Sequence, residues 1–404
     1  MVELEPELEQ QEIASLVDPV RAPLFDHGAC RRSESNRHES LPSPDFESGT
    51  STSSITPAEG QSSGRPPPCQ ETPGGGILPL VSDVAPDAWY ARCLLCPRAC
   101  GVDRLGSARG FCRESAAVRA AWAGLHFGEE PPVTGSGGSG TIFFTGCTLK
   151  CRYCQNDQLS RGGLGKELSV EELAALMLRL QAAGAENVNL VTGSQFAPGI
   201  AAAASLARGR GLGIPLLWNS SGYESGPTLQ ILEPWIDVWL PDCKTLDPEV
   251  SRHLMGAPDY PQVVKAALSF MARARPLQWE GERLRQGVIV RHLVLPGYPE
   301  SSREVLGWFR QELYGRALLS VMVQYTPNPR SREARQEGEA PAPARRVSEA
   351  EYDQVLGWLE ELGIEEGFIQ EPEPGSDWLP DFTRPNPFPE GQARPVWGVA
   401  DGVG

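Results

Sequence analysis

The chain has 404 residues, 10 cysteines and a formal net charge of −16. That length accommodates a large core, and α/β barrels routinely exceed the average domain size as one unit. The acidic balance argues against a nucleic-acid partner, which needs clustered Lys and Arg to displace counterions from phosphates.

In chain order, residues 1–85 come first, rich in Ser, Pro, Glu and Gly, with few apolar residues at regular spacing. Such a segment buries too little surface to offset its ordering entropy and is expected to be a disordered tail. Residues 1–80 alone carry −8 of the net charge, so the acidic total says little about the folded surface. The start, MVELEPELEQ, lacks the basic-then-apolar pattern of a secretory signal and the basic pattern of a transit peptide. No run of about 18 apolar residues occurs, so no membrane partner is expected and the localisation expected is cytoplasmic.

A cysteine-rich, metal-binding segment is expected at 86–134, followed by a core at 135–371 and a C-terminal tail at 372–404. The core alternates short apolar runs with helical segments, the pattern of βα units around a parallel sheet. Strands are predicted at 141–145, 188–192, 214–218, 236–240, 288–295 and 318–324. The clearest helix follows the first of them: Ser169 and Glu172 form a capping box, Leu173, Leu176, Met177 and Leu180 share a face, and Gly184 closes it. Further helices are predicted near 198–210, 226–233, 247–255, 260–274, 301–313 and 348–362. A Pro- and Arg-rich tract at 327–347 is expected to be a flexible insertion. The fold class is therefore α/β, a partial (β/α)6 barrel whose functional groups sit at the C-terminal ends of the strands.

Seven of the 10 cysteines fall into two groups; Cys30 and Cys69 lie in the tail and are expected to bind nothing. In a reducing compartment, grouping argues for metal before disulfide. Cys93, Cys96, Cys100 and Cys112, at C-x2-C-x3-C-x11-C spacing, can close the coordination of one zinc ion or of a second iron–sulfur cluster. Cys147, Cys151 and Cys154 follow the first strand in FFTGCTLKCRYCQN at C-x3-C-x2-C spacing. Three thiolates leave one coordination position of a [4Fe-4S] cluster without a protein ligand; zinc with a distant fourth ligand is the alternative.

This triplet, with Tyr153 before its last cysteine, resembles the signature of the radical S-adenosylmethionine (SAM) superfamily. The resemblance implies a [4Fe-4S] cluster whose open iron is chelated by SAM. Reductive cleavage of SAM then gives a 5′-deoxyadenosyl radical that abstracts hydrogen from a substrate. RCLLCPRACGVDRLGSARGFC, followed by HFGEEPPVTGSGGSGTIFFTGCTLKCRYCQN, is similar to the subgroup related to pyruvate formate-lyase activating enzyme, over about residues 89–325. That likeness implies glycyl-radical activation, with SAM and a protein substrate as partners and a low-potential electron donor such as flavodoxin or ferredoxin.

Site residues carried over from the resemblance are Lys244 and Asp242 as catalytic, and Gly193, Asn219, Ser220 and Arg291 as cofactor-binding. The pattern departs at Thr192-Gly193-Ser194-Gln195, where the family's acidic residue is missing, and at Thr326, where activases carry histidine. Alternation along the strand points Asp242 and Lys244 to one side and Cys243 to the other. His126, His292, Trp218, Trp235 and Trp239 are expected to pack. Modification of another peptide or a small molecule remains an alternative, as does a metal-stapled binding protein without turnover.

Overall fold

The computed structural model describes residues 87–328, 342–372 and 379–401. All of these fall within one compact unit. The expected tail at 1–85 lies outside the described residues, as does 329–341 within the expected insertion.

The chain forms β1 (Val118–His126), β2 (Ser139–Phe144), β3 (Lys166–Leu168), α1 (Val170–Ala182), β4 (Asn187–Val191), α2 (Ala197–Gly209), β5 (Leu216–Ser220), α3 (Gly226–Leu232) and β6 (Val238–Pro241). These are followed by α4 (Pro248–Met255), α5 (Tyr260–Ala274), β7 (Gln278–Glu280), β8 (Arg283–Leu293), α6 (Pro299–Glu312), β9 (Leu318–Met322), α7 (Glu349–Glu361), β10 (Gly367–Ile369) and β11 (Ala393–Gly398). The sheet order is β10-β9-β8-β6-β5-β4-β2-β1-β11, with β3 and β7 off this path. From β2 to β10 every neighbour along the path is parallel, whereas β1 runs antiparallel to β2, β3 and β11. No pairing among the described residues joins β10 to β11. The sheet is therefore α/β and mostly parallel, built by successive crossover helices, as the alternation predicts.

Local chemistry explains the clearest elements. Ser169 accepts from the Glu172 N–H while the Glu172 carboxylate accepts from the Ser169 N–H, so both halves of the capping box form, and Leu173, Met177 and Leu180 are fully buried. Asp247 accepts from the Glu249 and Val250 amides at the start of α4, Pro248 fills its first turn, and Gly256 ends it with φ +57°. β2 and β4 are buried along their whole length, as strands covered on both faces must be.

Three features differ from expectation. β1, inside the expected metal-binding segment, is a full sheet strand beside β2. Its Ala- and Gly-rich sequence lacks the apolar alternation that signals strands. The expected tail supplies β11, and its Phe382 and Phe388 rings pack tilted against Phe143, with Phe388 also edge-on to Trp122. The ends of the expected insertion are packed: Ala342 and Asn328 are buried, and the Asn328 side chain donates to the Cys154 carbonyl at 3.0 Å.

Candidate functional site

Strand alternation divides the sheet into two faces. On the helix-covered face lie Ile142, Phe144, Leu190, Trp218 and Trp239, all within the main core. On the opposite face, Leu217, Val238, Leu240, Ile289 and Leu318 pack with Val133 into an apolar plug. The same rows, continued toward the carboxyl ends, turn polar at Asn219, Asp242, Lys244, Arg291, Ser320 and Gln324. These groups line a cavity of about 250 Å³ into which Cys147, Cys151 and Cys154 also open.

The triplet reaches this cavity because β2 ends at a sharp turn. Gly146 has φ +77°, and a Cβ there would stand 2.5 Å from Glu114 Cγ, so only glycine fits. The Leu149 and Lys150 amides then donate to Cys147 Sγ, each at 3.4 Å, and Ser160 Oγ donates to Cys154 Sγ at 3.4 Å. Burial pushes the Cys151 thiol up to about 12 and the Cys154 thiol up to about 11. Loading with metal therefore displaces protons from these sulfurs. Tyr153 is buried beside Tyr325, ring centroids 6.2 Å apart.

Asp242 and Lys244 face the cavity and form an ion pair of 2.5 Å, while Cys243 between them is fully buried on the other side. Burial opposes the Lys244 charge, but Asp242, with Tyr153, Cys151 and Tyr260, outweighs it and holds the ammonium well above its ordinary range.

Arg291 is held by two consecutive carboxylates: its Nε donates to Glu130 Oε1 at 2.8 Å, and its Nη2 pairs with both Glu129 and Glu130. Asn189 donates to Glu129 Oε1 at 3.1 Å, and His126 stands 3.6 Å from it. Arg291 thus meets the cavity with its Nε and Nη2 donors engaged. His126 packs on Phe388, ring centroids 4.7 Å apart, and also borders the cavity, whereas His292 is a core histidine bonded to the Cys243 carbonyl and Ser302.

At the end of β4, Thr192 lines the cavity with φ +60°, an uncommon conformation for a β-branched residue. Its N–H donates to the Asn219 carbonyl at 2.9 Å. Gln195 Nε2 ties the turn to Thr145 and Thr192 carbonyls at 2.7 and 2.8 Å. Gly193 lies behind Thr192, pressed toward Trp218 and Ile200, and does not line the cavity. The turn itself has no acid, yet Glu224, buried after β5, accepts from Ser194 Oγ at 2.7 Å. Sequence reasoning missed Glu129, Glu130 and Glu224. Glu129 and Glu130 carried a signal, two adjacent acids before Pro131-Pro132, but their place depends on the sheet order. Asn219 and Ser220 do line the cavity.

Cys93, Cys96, Cys100 and Cys112 do not line it. Their segment braces the triplet loop and the turn after β4: Arg98 donates to the Thr148 carbonyl at 3.0 Å, and Arg104 to the Gln195 carbonyl at 2.8 Å. Among the described residues, no three His, Cys, Asp or Glu side chains converge as ligands of a single metal ion must.

The triplet fits an iron–sulfur cluster: three buried or half-buried thiols, with amide or hydroxyl donors set against two of the sulfurs, open onto one polar cavity. The profile of the radical SAM superfamily matches residues 141–308. A radical SAM domain therefore occupies this part of the chain, and it implies a [4Fe-4S] cluster and SAM as cofactors. The chain is 27% identical to an uncharacterised protein of Methanocaldococcus jannaschii over 296 residues, 72% of this chain and 80% of the relative. Among solved structures, SuiB of Streptococcus suis is similar at a TM-score of 0.38 and 13% identity, over 56% of this chain and 46% of SuiB. Methylornithine synthase PylB is similar at a TM-score of 0.39 and 17% identity, over 55% of this chain and 60% of PylB. The chain thus spans less than two thirds of either solved structure. Among the described residues no helix is long and apolar enough to cross a membrane.

Proposed function

We propose that this radical SAM enzyme holds its cluster on Cys147, Cys151 and Cys154, binds SAM across the β4–β6 edge, and removes hydrogen from a peptide substrate, first among them a glycine of a partner protein. The single observation that supports this most directly is the shared cavity: the three thiols open into the same space as the polar carboxyl ends of β5, β6, β8 and β9. When bound, the reduced cluster and SAM supply a 5′-deoxyadenosyl radical; the chain's own part is to place it and exclude water.

Each group has a role its geometry supports. Asn219 and Ser220, at the end of β5, offer hydrogen bonds to the polar parts of SAM. The Lys244–Asp242 pair sits beside Cys151 and Tyr153, where a fixed ammonium can hold a carboxylate. Arg291, clamped by Glu129 and Glu130, keeps the wall rigid and contributes its remaining field to the cavity. Gly193 shapes the SAM-side turn from behind. The lining also carries the amides of Gln324 and Gln392, groups suited to the alternating donors and acceptors of a peptide backbone. Modification of a residue other than glycine is the second reading, favoured by Thr326 at the cavity wall, where the activases have histidine.

The test uses a candidate partner labelled with deuterium at glycine Cα, incubated anaerobically with reduced enzyme and SAM. Deuterium in the 5′-deoxyadenosine and a radical signal on the partner are expected. Turnover of SAM with no deuterium transfer from any glycine-labelled partner or peptide would exclude the glycine substrate and leave the second reading.

A further inference from the structure

The upstream cysteines stand outside the cavity, yet two of them are approached by a nitrogen donor. Arg104 Nη1 lies 3.5 Å from Cys93 Sγ, and the Phe111 N–H donates to Cys100 Sγ at 3.3 Å. The triplet shows a similar pattern, with amides at Cys147 and a hydroxyl at Cys154. A neutral thiol is a weak acceptor that packs like a small hydrophobe. Donors aimed at sulfur, as at Cys93 and Cys100, suit a metal-bound thiolate.

Backbone strain repeats the pattern. Among the described residues, the non-glycine positions with left-handed φ are Ala99 (42°), Arg113 (69°), Lys150 (56°) and Thr192 (60°). Three of these adjoin cysteines, namely Cys100, Cys112 and Cys151, and such strain concentrates at functional sites. Lys150 also links the two groups: it sits between Cys147 and Cys151, its N–H donates to Cys147 Sγ at 3.4 Å, and its Nζ donates at 2.5 Å to the carbonyl of Phe111, the residue before Cys112. A Cβ on Gly146, the residue before Cys147, would lie 3.1 Å from the Cys112 carbonyl oxygen.

We propose that Cys93, Cys96, Cys100 and Cys112 ligate a second iron–sulfur cluster that hands single electrons to the cluster on Cys147, Cys151 and Cys154. The inference rests on the radical SAM reading and extends it. A reduced, low-potential one-electron carrier loses one electron to the upstream cluster, and that electron then reduces the triplet cluster and returns the upstream one to its oxidised state; no bond or proton moves. Zinc carries no electron, so zinc there would leave the group a structural staple only. Direct contact with substrate is disfavoured because the group does not line the cavity. Its outer side carries Leu94, Leu105 and Phe111 as exposed apolar residues among Arg92, Arg98, Arg109 and Arg113, a surface that an acidic carrier protein complements.

The test takes the full chain, purified and reconstituted anaerobically with iron and sulfide. Wild type is expected to hold about eight irons, and Cys96→Ser with Cys100→Ser about four, keeping the one electron-paramagnetic signal that changes when SAM is added. Reduction of that SAM-sensitive cluster by reduced flavodoxin is expected to slow by roughly tenfold in the double variant, while dithionite reduces both proteins equally. Should the variant not fold, wild type alone decides: iron content and magnetic coupling between two reduced clusters support the proposal. Stoichiometric zinc with about four irons, or equal rates with flavodoxin, overturns it while the SAM-sensitive signal keeps the radical SAM reading intact. Loss of any SAM-sensitive signal in wild type overturns both.

Discussion

Arg291 shows how one side chain can hold a cavity wall together. Two carboxylates and a guanidinium, all nearly dry, stabilise each other only as a set, because removing one partner leaves uncompensated buried charge. Burial works against ionised Glu129, yet Arg291 and His126 draw its carboxyl below the usual range. A carboxyl depressed in the folded state adds stability above its unfolded value and loses it as pH falls through the folded value. Arg291→Gln should reverse that sign, since Glu129 and Glu130 would then face each other without a cation. The variant is expected to lose about 3–5 kcal/mol at neutral pH in urea unfolding and to recover part of that near pH 5. A loss below about 1 kcal/mol at neutral pH would mean the triad is no more than a surface pairing.

Among the elements, the turn from β2 into the triplet loop carries the greatest constraint. Gly146→Ala forces a left-handed alanine against Glu114, Cys112 and the backbone of the upstream segment, and is expected to cost about 1–3 kcal/mol. The measured consequence should be reduced iron per chain after reconstitution, with the far-UV spectrum unchanged; full iron loading would show that the loop adapts. Six of the parallel strands were legible as short runs of β-branched and aromatic residues, and the seven helices from their periodic apolar stripes, with a capping residue or proline at their starts. Asp242 and Lys244 were legible because continuing the alternation of β6 past Pro241 puts them on one side. β1 and β11 were not, since Ala, Gly, Arg and Pro in those strands give no alternation, and their pairing depends on residues about 270 apart in sequence. Glu129, Glu130 and Glu224 escaped for a related reason. Their positions follow from which strands become neighbours, and only the folded sheet supplies that.

For the whole molecule, the apolar plug beneath and the polar rim above divide the inner face into a rigid floor and a reactive mouth. The triplet sits at that mouth, the upstream cysteines behind it, and the antiparallel β1–β11 edge, with Phe382 and Phe388, closes the side nearest Trp122 and Phe143. In the function proposed above, the triplet would hold the reactive iron and the strand ends would hold the molecule it acts on. The most direct measurement is anaerobic: the iron-loaded chain is reduced with dithionite, mixed with SAM, and assayed for 5′-deoxyadenosine and methionine by mass spectrometry. Formation of both, abolished by Cys151→Ala and retained in Cys93→Ala, is the predicted result. Intact SAM in the presence of a fully reduced cluster, or equal cleavage by the Cys151→Ala protein, would contradict it.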